Sequence, residues 1–199
     1  MAANAAKETR MPVIIEAITV VIRRKAIDEK YPGGYLAFDQ DAPTMGPVDT
    51  LVADDDIAAV AFMAPIDVKA YCDFLGKYGI GSPENPVDLA VIDQFTGAVT
   101  PCDWMETTGV NLEGGGRVLI ARFVGNTDDT PVVPEGWSWE NSITKNTFFM
   151  PNEALKDSME YVRSEPNGLD VYRDKVTGEL RYIWRPTDPT IAMSQRVQA

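Results

Sequence analysis

The chain contains no histidine. That removes Ser-His-Asp and Cys-His catalysis, imidazole metal ligands and histidine pH switching from its repertoire. Cysteine is nearly as scarce, with Cys72 and Cys102 the two in 199 residues. A disulfide framework is therefore excluded, and a reducing, cytoplasmic setting is predicted. The longest apolar run, Ile57 to Ile66, holds ten residues, too few to span a bilayer. No phosphate-binding glycine loop is present, because Gly114-Gly115-Gly116 lacks both the spacing and the closing Lys-Ser/Thr. Residues 1–11 are polar and Ala-rich without an apolar signal core. They read as a disordered leader, with Met11 as an alternative start.

Basic charge is also in short supply. Eighteen Lys and Arg stand against 30 Asp and Glu, a net charge of −12. The imbalance is local. From Asp39 to Glu140 there are 18 acidic side chains and four basic ones, hence −14, whereas Pro151 to the end carries eight and seven, hence −1. Such a field repels phosphate backbones and disfavours nucleic acid. It favours a basic partner, and it also keeps a protein soluble.

What is present suits a folded α+β chain. Apolar residues make up 45% of a length sufficient to bury a core. Val13 to Arg24, rich in Val and Ile, reads as one strand. Short helical pieces follow at Lys25 to Lys30 and Tyr35 to Asp41, separated by the breaker Tyr31-Pro32-Gly33-Gly34. Ala42 to Asp56 reads as loop. Ile57 to Met63 is apolar on both faces, which predicts an interior strand covered on each side. Pro65 opens a helix whose stripe is Val68, Tyr71, Cys72, Leu75 and Tyr78. Leu89 to Asp93 and Ala98 to Trp104 form a predicted hairpin around Gly97. Glu106 to Gly116 reads as a Gly-rich linker and Arg117 to Val124 as a strand, with Val118, Ile120 and Val124 on one side. Gly125 to Ser142 is a long loop carrying Trp137 and Trp139, a length that usually signals function. A strand over Ile143 to Met150, a helix over Pro151 to Arg163 and a hairpin of Leu169 to Asp174 with Glu179 to Arg185 complete the pattern. Residues 187–199 read as a loosely ordered tail.

The order strand, proline-initiated helix and Asp-x-x-Thr-Gly hairpin occurs twice, at Ile57 to Trp104 and Thr147 to Trp184. Aligning Met63 with Met150 places Val68, Cys72 and Leu75 on Leu155, Met159 and Val162. The expectation is an internal duplication within a single α+β domain over 12–186. Two strand–strand–helix–hairpin halves, about 12–110 and 116–186, would join in a mostly antiparallel sheet with helices on one face. The cleft between the halves is then the default ligand site. The same turn chemistry also arises without duplication, since Asp and Thr bond nearby backbone and Gly fills the bulge.

The chemistry on offer is thin. Cys102 neighbours Asp103, which disfavours a reactive thiolate and leaves a small buried hydrophobe as its ordinary role. Asp54-Asp55-Asp56 and Asp39-Gln40-Asp41 supply oxygen ligands, but neither has the EF-hand pattern. A solvated turn before a strand is the favoured reading of both. Arg173, Arg181 and Arg185 cluster on the last hairpin if they share a face, where they either bind an anion or pair with Asp170, Asp174 and Glu179. The binding candidates are Tyr31, Asp54, Asp55, Asp56, Trp104, Trp137 and Trp139. No catalytic residue, metal ligand or cofactor is assigned.

Ala26-Ile27-Asp28-Glu29-Lys30-Tyr31-Pro32-Gly33-Gly34, Val60-Ala61-Phe62-Met63-Ala64-Pro65 and Asp88 to Trp104 resemble an uncharacterised bacterial protein family over roughly the first hundred residues. The resemblance implies a bacterial cytosolic origin and transfers no catalytic residue. Three functional expectations remain open. The first is a non-enzymatic acidic binding protein, for example an immunity or antidote protein for a basic partner. The second is a small-ligand domain with Trp137, Trp139 and Tyr31 lining a pocket between the halves. The third is a histidine-free enzyme using carboxylates or Cys102.

Overall fold

The structure is a computed structural model that describes residues 11–44, 48–82, 86–99, 102–112, 116–146, 157–166 and 168–184. The strand expected over Val13 to Arg24 is two strands in two sheets. β1 (Val13–Ile15) pairs with β8 (Arg117–Phe123), while β2 (Ile18–Arg23) lies at the centre of a five-stranded sheet. Glu16 and Ala17 form the corner, and Ala17 takes φ 45°. Thr19 repairs the broken ladder there. Its hydroxyl accepts the Glu16 N–H at 3.0 Å and donates to the Glu16 carbonyl at 2.9 Å. The Val/Ile run stays buried throughout because each piece enters a different sheet.

The five-stranded sheet has the order β3-β4-β2-β5-β6, with β3 at Thr50–Ala53, β4 at Ile57–Phe62, β5 at Leu89–Asp93 and β6 at Gly97–Ala98. Every ladder in it is antiparallel. The two-residue period divides its side chains cleanly. Val20, Ile22, Val60, Phe62, Leu89 and Val91 face the helices. Val21, Ala59, Ala90 and Ile92 face a second core shared with β1, β8 and β7 (Met105–Asn111). All six residues of β4 are buried, as expected of a strand covered on both sides. The helices α1 (Arg24–Lys30), α2 (Gly34–Asp41) and α3 (Pro65–Gly76) form the layer on the first face. α3 starts at Pro65, carries Asp67 in its first turn and buries Val68, Tyr71, Cys72 and Leu75. The three-stranded sheet β1-β8-β7 covers the opposite face. The architecture is α+β with antiparallel sheets.

Several expected boundaries are overturned. β3 lies inside the expected loop Ala42 to Asp56 and forms a hairpin with β4. The expected linker Glu106 to Gly116 is mostly β7, where Thr107, Thr108 and Val110 outweigh Gly109. The second hairpin strand shrinks to β6, and Val124 is exposed. Ile143 opens a short helix, α4 (Ile143–Asn146), where a strand was expected. Met159–Ser164 is a strand, β9, where a helix was expected. It pairs with β10 (Leu169–Asp174), which pairs with β11 (Leu180–Trp184). Tyr161 and Val162 suit an extended edge better than the helical stripe suggested. The duplication is therefore not shown: the strand–helix unit of the first half has no counterpart among the described residues. What does recur is the turn. Asp93 accepts the N–H groups of Phe95 and Thr96 at 2.8 and 3.0 Å, and Asp174 those of Val176 and Thr177 at 2.8 and 2.9 Å. Residues 1–10, the tail 187–199, Arg185 and the remainder of the expected helix, 151–156, lie outside the described residues.

Candidate functional site

The Asp triplet is a hairpin turn. Asp54 accepts the N–H groups of Asp56 and Ile57 at 2.8 and 2.6 Å, and the Arg24 guanidinium donates to its carbonyl at 2.7 Å. Burial pushes the Asp54 carboxyl up in pKa while those two N–H groups pull it down. Among the described residues no group of three His, Cys, Asp or Glu is placed to hold a metal ion. Neighbouring carboxylates are likewise held by neutral donors. Asp28 accepts the Tyr35 N–H at 3.0 Å, Asp39 the Tyr35 hydroxyl at 3.3 Å, Asp41 the Tyr31 hydroxyl at 2.9 Å and Asp49 the Met63 N–H at 2.8 Å.

The aromatic candidates do not converge. Tyr31 is buried in the helix-side core, edge-on to Phe38 at 5.5 Å and against Tyr78 at 4.8 Å. Burial, and then the Asp41 carboxylate, raise its phenol pKa. Trp137 and Trp139 pack on the opposite core, so the main sheet stands between them and Tyr31. This overturns the expected pocket lined by all three. Trp104 is buried beside them, its indole N–H donating to the Pro86 carbonyl at 2.7 Å, with the Arg23 guanidinium 4.6 Å from its ring. It is a packing residue. Cys72 is buried, and Cys102 contacts the Met105 carbonyl at 3.8 Å. Arg173 faces Leu180 and Arg181 faces Tyr172 across the last hairpin. The two guanidiniums thus leave opposite faces, which overturns the expected cluster. Arg181 pairs with Glu179 at 2.5 Å, as the charge-pairing alternative expected.

The described residues form a cleft of about 280 Å³, lined by Gln94, Phe95, Arg117, Leu119, Trp139, Thr144 and Lys145. Trp139 is the one sequence candidate that reaches it. Two glycines shape it. A Cβ on Gly116 would stand 2.7 Å from the Trp139 ring, and its φ of +95° also disfavours a side chain. A Cβ on Gly109 would stand 2.6 Å from the Arg117 guanidinium. Trp139 and Arg117 therefore lie in slots that side chains would fill. Lys145 is tied to Glu140 and, at 3.9 Å, to Glu179. Among the described residues no carboxylate pairs with Arg117.

Behind the cleft lies Glu16, 1% exposed, the residue that sequence reasoning missed. Its carboxylate has beside it the Trp137 indole N–H and the backbone N–H groups of Ile143 and Thr144. None reaches it with full hydrogen-bond geometry, and the Trp137 nitrogen and the Thr144 hydroxyl are buried without partners. Burial raises the Glu16 pKa more than these donors lower it, and Asp49 raises it further. Gln94 binds the cleft wall to this corner: its side-chain oxygen accepts the Ala17 N–H at 3.0 Å and its own N–H donates to the Ala17 carbonyl at 2.9 Å. The only signal in the sequence was a lone Glu within a Val/Ile run.

No protein-family model, curated protein or solved structure matches the chain. No helix among the described residues is long and apolar enough to cross a membrane.

Proposed function

We propose that the protein is a non-enzymatic binding protein whose acidic surface receives a basic protein. One observation carries this reading. Among the described residues, the carboxylates of Asp28, Asp39, Asp41, Asp49 and Asp54 are engaged by hydroxyl and backbone N–H donors rather than by cations. Their charge is thus held in place without being neutralised, whereas Arg122, Arg163 and Arg181 elsewhere are taken up in ion pairs. A fixed negative field accelerates encounter with a cationic partner and discriminates against acidic ones. An immunity or antidote protein of the bacterial cytosol is the concrete form we favour, in keeping with the resemblance of the first hundred residues to a bacterial family.

The test is association with folded basic proteins, including candidate cationic toxins, at low and high salt. The association rate is expected to fall steeply with salt. It is expected to fall by about tenfold when Asp39, Asp41, Asp55 and Asp56 are changed together to Asn. Salt-insensitive association, or none with any basic protein, removes the reading.

A further inference from the structure

The cleft beside Trp139 is independent of the acidic surface and differs from it in sign. Arg117 and Lys145 are both among its lining residues. Lys145 is already committed to Glu140 and Glu179. Arg117 has no ion-pair partner among the described residues. The remaining lining is the Trp139 indole, Phe95 and Leu119, with the polar residues Gln94 and Thr144 beside them. Phe95 is 62% exposed, an apolar ring left in water.

We propose that this cleft binds a small aromatic monocarboxylate, with the carboxylate on the Arg117 guanidinium and the ring against Trp139 and Leu119. A planar fork matches a carboxylate through two parallel N–H···O bonds. Positioning is built in. The guanidinium occupies the space over Gly109 and the indole the space over Gly116, so both contacts are set by the backbone beneath them. Gln94 is anchored at the Ala17 corner, which fixes the wall carrying Phe95. Size and charge narrow the ligand class. About 280 Å³ lies just below the usual range of roughly 300–1,000 Å³ for small-molecule sites, which suits one ring system. One cleft guanidinium without an ion-pair partner among the described residues, on a protein of net charge −12, selects a monoanion over a phosphate ester, because a second negative charge would meet the surrounding field unpaired.

Benzoate and indole-3-carboxylate, with benzamide and phenyl phosphate as controls, are titrated into the full chain by calorimetry, with tryptophan fluorescence as a second readout. The carboxylates are expected to bind, and benzamide and phenyl phosphate to bind at least about tenfold more weakly. Arg117→Met is expected to weaken benzoate about tenfold or more. Gly109→Ala keeps the net charge but drives the guanidinium from its slot, and is expected to weaken binding comparably. Circular dichroism melts confirm that each variant is folded, and Arg117→Met alone suffices if Gly109→Ala is not. The proposal is overturned if neither aromatic carboxylate binds, if benzamide or phenyl phosphate matches benzoate, or if Arg117→Met binds as the parent does.

Discussion

At the corner between β1 and β2, Glu16 and Thr19 place opposite demands on the fold. The Thr19 hydroxyl satisfies both backbone groups of Glu16. Thr19→Val keeps the shape and removes both bonds, and is expected to lower stability by about 1–3 kcal/mol in urea unfolding. The Glu16 side chain does the reverse, since its carboxylate is enclosed without a fully formed hydrogen bond. Glu16→Gln is expected to raise stability by about 1–3 kcal/mol at neutral pH. The sign follows from linkage. With the folded pKa above the ordinary Glu value, the native state holds this proton more tightly than the unfolded chain does. Stability therefore falls as pH rises from the ordinary value through the raised one. The advantage of Glu16→Gln should accordingly shrink as pH is lowered through that window. Asp49, whose charge raises the Glu16 pKa and which is itself raised by burial, is coupled to Glu16, so Asp49→Asn in both backgrounds separates the two titrations.

At the scale of elements, three hairpins turn on one device, an Asp whose carboxylate accepts the N–H groups two and three residues ahead: Asp54, Asp93 and Asp174. Asp54→Ala and Asp93→Ala should each cost about 0.5–2 kcal/mol, the scale of a lost helix cap. Asp55→Ala, at an exposed position of the same turn, should stay within about 0.5 kcal/mol in thermal melts. The Asp93 and Asp174 turns were legible because their chemistry is local, whereas the Asp54 hairpin was read as loop; α3, with Pro65 and one apolar stripe, and β4, apolar on both faces, were legible too. The corner at Ala17 was not legible, because a Val/Ile run looks the same whether one sheet or two receive it. β7 was hidden by its glycine, and β9 passed for a helix because its apolar residues also fit a helical spacing. Only the ladders with β8 and β10 decide those cases. The site fared similarly. Trp139 was visible as a large aromatic in a long loop. Arg117, Gln94 and Glu16 gain meaning only from Gly109, Ala17 and Trp137, which lie far from them in sequence or in another element.

Over the whole molecule, the charge is distributed so that self-repulsion opposes folding. Raising salt from about 0.01 M to 0.1 M shortens the Debye length from about 30 to about 10 Å. Tm is expected to rise across that interval in differential scanning calorimetry. A fall would mean that pairs such as Lys30 with Asp88 (2.6 Å) outweigh the repulsion among carboxylates.

The two-sheet corner also governs how the chain can be made. β1 is synthesised well before its ladder partners, residues 119–121. Until those have been synthesised, Val13, Ile14 and Ile15 have no strand to pair with, and the second face of the growing sheet stays uncovered. Nascent chains stalled before β8 should therefore remain sensitive to protease and become resistant in one step once it clears the exit tunnel. Such a chain relies on its acidity before its second core can close, because mutual repulsion keeps the waiting apolar strands of neighbouring copies apart.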